Sequence, residues 1–174
     1  MNRLARAVLV SSIILFALSH ACVADAPATQ PAEGYKVNLK SMSLFPFDSQ
    51  NGTLNDIPKQ FRDLDGQRVR FIGEMWRPTL RDDGSVASFQ AIYSATKWSF
   101  REAPHVQDFW RCTPVEGVMV RPMNSMIEVT GILHVRILKQ DESIQSVYDV
   151  DVESVKPSTG DFAPTTKPAA TQPR

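Results

Sequence analysis

From Arg68 onward the chain alternates apolar and polar positions with a period of two. That is the pattern of strands with one buried face. In RVRFIGEMW, Val69, Phe71, Gly73 and Met75 share one face, and Arg68, Arg70 and Glu74 share the other. SVASFQAIYS predicts a second strand. VQDFWRC predicts a third, with Val106, Asp108 and Trp110 opposite Gln107, Phe109 and Arg111. GVMVRP reads as a short extra strand. MIEVTGILHVRIL is the longest, with Ile127, Val129, Leu133 and Val135 facing one way and Glu128, Thr130, His134 and Arg136 the other. In SIQSVYDVDVESV, Tyr148, Val150 and Val152 oppose Asp149, Asp151 and Glu153. Turn residues in RDDGS and QDES separate neighbouring runs.

Before the strands, the period changes. Ile57, Phe61 and Leu64 fall on one helical face, Asp56 and Pro58 suit the helix start, and Gly66 suits its end. VNLKSMSLFPF reads as a short strand or an arm. Gly73 and Gly131 lie inside strands, where a bend or bulge needs a missing side chain. About five or six strands with such bends predict a mainly β fold, a small OB-like β-barrel with one short N-terminal helix. A β-sandwich with the same strand count is second.

The flanks do not follow either period. DAPATQPAEG and PSTGDFAPTTKPAATQPR are too rich in Pro, Ala and Thr to bury a core. In MNRLARAVLVSSIILFALSHACVADA, Arg3 and Arg6 precede an apolar run from Ala7 to Ala21, followed by small residues. That order is a secretory signal, and the run is shorter than the ~20 residues of a spanning helix. The organisation expected is a signal at 1–24, a linker at 25–34, a barrel domain at 35–156 and a disordered tail at 157–174. Cleavage after Ala21 instead of Ala24 would expose Cys22 for lipidation, although Ser19 and His20 fit that motif poorly. Export to the periplasm or cell envelope follows in either case, with membrane attachment only through such a lipid.

Charge and cysteine content narrow the chemistry. Lys and Arg number 19, as do Asp and Glu, and loss of Arg3 and Arg6 tips the mature chain towards acid. Sequence-independent nucleic-acid binding needs a broad basic surface and is not expected. Without Cys22, Cys112 has no partner for a disulfide and reads as a small buried hydrophobe. A glycine-rich phosphate loop is absent, and no cofactor is expected.

The segments IPKQFRDLDGQRVRFIGEMW, SVASFQAIYS and IEVTGILHV, in that order, resemble an uncharacterised family of exported bacterial domains. The resemblance spans roughly Tyr35 to Val155. It also rests on the SLFPF stretch, the Leu-Asp-Gly before the first strand and the glycine within that strand. It implies an OB-like barrel and export, and it implies no activity. Relatives commonly carry cysteine with glycine and prolines in the loop after the second strand. Here that loop reads ATKWSFREAPHVQDF, without cysteine.

Candidate chemistry concentrates in two places. KWSFREAPHVQDFWRC offers Glu102, His105, Asp108 and Cys112. His105 and Cys112 are an odd number apart, so in a strand they face opposite ways, and no metal-ligand spacing is present. The stretch therefore reads as non-catalytic. Trp98, Phe100 and Arg101 form a stacking-capable set on a loop, with Trp110 on the strand behind, and serve as recognition candidates or as a barrel plug. The second place is the polar face of the last hairpin. His134 and Arg136 should meet Asp149 and Asp151 across it, as surface ion pairs or as an anion site joined by Arg68 and Arg70. The reading that follows is a non-catalytic envelope module binding an unknown protein or small ligand. An accessory factor in metal or solute handling and a small hydrolase are the alternatives.

Overall fold

The computed structural model describes residues 33–95 and 104–158. It is mainly β. In chain order the elements are β1 (Tyr35–Lys36), α1 (Leu39–Ser43), a 3-10 turn (Leu54–Asp56), α2 (Lys59–Arg62), β2 (Arg68–Leu80), β3 (Val86–Ile92), β4 (Phe109–Pro114), β5 (Met126–Gln140) and β6 (Ser143–Pro157). The signal, most of the linker and the tail lie outside the described residues.

The strands form one six-stranded sheet whose pairings return to their start. β2 pairs antiparallel with β3, and β3 with β4. β4 runs parallel to β6, β6 pairs antiparallel with β5, and β5 pairs antiparallel with the first half of β2. β1 adds a short parallel pairing to β2 at Val69 and Arg70.

Alternation decides which face of the sheet is buried. Val69, Phe71, Phe89, Trp110, Cys112, Val129, Leu133, Tyr148, Val150 and Val152 are buried together. Trp110 sits at the centre, its ring centroid 4.8 Å from that of Phe71 and 5.1 Å from that of Tyr148. Gly73 marks the point where β2 changes partner: its pairing with β5 ends at Glu74, where that with β3 begins. A Cβ there would lie 2.7 Å from the Ile92 carbonyl oxygen, so only glycine lets β3 approach this closely.

Three local expectations are corrected. Val37–Phe47 is not an arm, and the domain has two short helices, not one. The Asn38 side chain accepts a hydrogen bond from Ser41 N, while Leu39 and Met42 bury the same helical face. GVMVRP forms no strand, although Val120 is buried and its carbonyl accepts from Val86 N at 2.9 Å. β4 begins at Phe109 and not Val106. The Asp108 carboxylate accepts from His105 N at 2.8 Å, and Asp108 N donates to His105 O, which closes a turn before the strand.

Candidate functional site

The register places one outward-facing row across the ring. Trp76 on β2 is opposite Gln90 on β3, and Gln90 is opposite Arg111 on β4. Arg111 is opposite Asp149 on β6, which is opposite His134 on β5. Alternation keeps these side chains outside, because their neighbours Met75, Ala91, Trp110, Cys112, Tyr148 and Val135 belong to or pack on the core.

Local irregularity shapes the row's β2 end. Between Trp76 and Thr79 the register with β3 shifts, so β2 carries a bulge there. Arg77 adopts φ 48°, in the left-handed region that disfavours a side chain. Its guanidinium lies 4.1 Å from the centroid of the Trp76 ring, at stacking distance. Beside them the Gln90 amide oxygen is buried without a hydrogen-bond partner. Such an oxygen costs about 1–3 kcal/mol to hold.

At the other end, charge is compensated. The Asp149 side chain is only 8% exposed. It accepts from Arg136 Nε at 2.7 Å and from Ser146 Oγ at 2.9 Å, with Arg111 Nε 3.7 Å away. His134 Nε2 is 2.9 Å from Asp151 Oδ2, and Arg68 Nε is 2.7 Å from Glu153 Oε2. Arg70 lies near Glu33 and Glu128. Arg68 and Arg70 of β2 do share this surface with the hairpin, but each faces a carboxylate. Here the polar residues brace β6 against β5, β4 and β2.

This bracing separates two aspartates that look alike in sequence. Asp149→Ala leaves Arg136 without its short partner and removes an acceptor from buried Ser146. It should destabilise the fold by about 2–3 kcal/mol, reduced from the fully buried case because both arginines are half-exposed. Asp151→Ala, at a carboxylate 54% exposed, should cost less than about 1 kcal/mol. Urea unfolding of both variants measures the difference.

The sequence candidates divide accordingly. His134 and Arg136 lie on one face with Asp149 and Asp151, Arg136 in an ion pair with Asp149 and His134 Nε2 at hydrogen-bond distance from Asp151. Trp110 is a correction: it is fully buried among Phe71 and Tyr148, because β4 turns Trp110, Cys112 and Pro114 inward, so no surface ligand reaches it. Trp98, Phe100 and Arg101 lie outside the described residues. The residue just before that segment is tied to the outer face, where Ala95 N donates to Glu74 Oε2 at 3.1 Å. Burial pushes the Cys112 thiol far above the usual range, so it remains protonated and a poor nucleophile at neutral pH. Among the described residues no group of three His, Cys, Asp or Glu is placed to hold a metal ion, and no helix is long and apolar enough to cross a membrane.

Trp76, Arg77, Gln90 and Arg111 were not singled out by sequence pattern. Pro78 within a strand run was the available signal, since proline inside a strand marks an edge or a bulge.

No family model and no curated relative matches the chain. Among solved structures it is similar to the crystal structure of a DUF3299 family protein from Pseudomonas aeruginosa PAO1. The two are 13% identical with a TM-score of 0.53, over 72% of this chain and 97% of that one. At that identity the likeness is one of fold. DUF3299 denotes a domain of unknown function, in keeping with an uncharacterised domain.

Proposed function

We propose that this chain is an exported OB-like β-barrel that binds an envelope ligand or partner without converting it chemically. The closed sequence of pairings supports the barrel reading. Counted around the ring from β2, the strands pair in the order first, second, third, fifth, fourth and back to the first, with only the third and fifth parallel. OB-type barrels carry ligands on the face of their second and third strands. Those strands are β3 and β4 here. The apolar run behind Arg3 and Arg6 supports export, with Cys22 as a lipid attachment point if cleavage follows Ala21.

One observation carries the binding reading: the outward row from Trp76 through Gln90 to Arg111 crosses β3 and β4. It sets an aromatic ring, an amide and a guanidinium side by side on rigid strands. Preorganised mixed groups of this kind suit recognition, because little side-chain entropy remains to be lost. A double variant, Trp76→Ala with Gln90→Ala, tests it. Immobilised wild-type protein should retain a component of a detergent-solubilised envelope extract that the variant loses, while far-UV circular dichroism stays unchanged. A folded variant that retains every component would refute the assignment of this face.

A further inference from the structure

We propose that Arg77 and Arg111 form an anion subsite for an acidic carbohydrate on the outer face of β2, β3 and β4. This rests on the binding-face reading above. The distinguishing observation is how the arginines use their donors. Among the described residues, Arg62, Arg81 and Arg121 donate to backbone carbonyls. Arg68 and Arg136 make short hydrogen bonds to Glu153 and Asp149, and Arg70 faces two glutamates. Arg77 and Arg111 are different. Arg77 only stacks on Trp76, and Arg111 has only a 3.7 Å approach to Asp149 Oδ1.

Both guanidiniums are nonetheless held in place. The Trp76 ring seats the Arg77 guanidinium, and the bulge with its positive φ brings the two neighbouring side chains together. A bulge and Pro78 also blunt the strand edge that β2 exposes beyond Glu74. Edge protection does not require a guanidinium over an indole. Asp149 satisfies itself on Arg136 and Ser146 at short range, so it anchors Arg111 without using up its fork. Two oriented forks with free N–H groups match carboxylate or phosphate oxygens.

Spacing and surroundings select the ligand class. Trp76 and Arg111 are separated by the width of β3, about 10 Å across two strand spacings. That suits anionic groups carried along an extended scaffold. Beside them lie Ser88 on β3 and Thr113 on β4, whose side chains would hydrogen-bond to sugar hydroxyls. The chain's balanced charge gives no broad basic field for a polynucleotide. A sugar acid, with hydroxyls between its carboxylates, fits two arginines on a hydroxyl-reading strip.

Isothermal titration of the full chain with tetragalacturonate, neutral cellotetraose and a single-stranded oligonucleotide tests this. Tetragalacturonate should bind at least ten-fold more tightly than cellotetraose. Arg77→Gln and Arg111→Gln should each weaken it about ten-fold, with the far-UV circular dichroism of the folded protein unchanged. Equal binding of cellotetraose would overturn the anion subsite and leave the binding face intact. Tighter binding of the oligonucleotide would overturn the carbohydrate assignment. Tetragalacturonate binding that ignores both arginines, or no binding of either sugar, would overturn the proposal. Capture by the Trp76 row then decides the binding-face reading separately.

Discussion

Trp110→Ala should lower stability by about 3–5 kcal/mol, whereas Trp110→Phe should stay within about 1.5 kcal/mol of the wild type. Trp110 is fully buried and lies between Phe71 and Tyr148. Truncation to alanine removes the largest side chain of the core, and the rigid strands around it collapse only partly into the space. Phenylalanine leaves a smaller gap and removes a liability. The indole Nε1 is buried without an acceptor, a loss of about 1–3 kcal/mol that phenylalanine does not carry. Thermal melts followed by circular dichroism should show a fall of roughly 10–20 °C for alanine and a few degrees at most for phenylalanine. An alanine variant that melts within a few degrees of wild type would mean that Trp110 is not the centre of the core. A phenylalanine variant as damaged as alanine would mean that the indole nitrogen has a partner.

The same tryptophan shows what sequence pattern conveys and what it does not. Alternation sets Trp110 apart from Phe109 and Arg111, because successive side chains point to opposite faces. Which face is inside depends on β3 and β6, which bracket β4 and are remote in sequence. Phe109 and Trp110 are both aromatic, so their own strand does not settle it. The hairpin of β5 and β6 was easier to read. Its strands are long and regular in sequence, and His134 and Arg136 meet Asp149 and Asp151 as alternation requires. α1 was missed because five residues give too little helical period, and its cap at Asn38 looks like part of an alternating arm. The Trp76 row was invisible for a different reason. It joins residues from five segments through pairings that sequence spacing does not encode, and the bulge at Arg77 breaks the very alternation by which strands are recognised.

Gly131→Ala should be the other severe change, lowering stability by about 3 kcal/mol or more. Gly131 lies where the register of β5 and β6 shifts. Thr130 pairs with Ser154, and Gly131 with Val152, so Glu153 is the extra residue of a bulge on β6. The bulge bends β6 over β5 as the ring turns. A Cβ on residue 131 would lie 2.2 Å from the Asp151 carbonyl oxygen and 2.9 Å from Val150 Cγ1. The nearest obstacle is backbone, and it cannot rotate aside as a side chain would. Relief requires β6 to move away, which opens the packing of Val150 and Val152 and strains the brace between Arg68 and Glu153. Gly66→Ala is the control. Gly66 has φ +72° but open space where its Cβ would go, so alanine there carries only left-handed strain of about 1–2 kcal/mol. In urea the midpoint of Gly131→Ala should fall well below that of Gly66→Ala. Equal midpoints would show that β6 yields at the bulge, and that the close approach at Gly131 does not hold the ring closed.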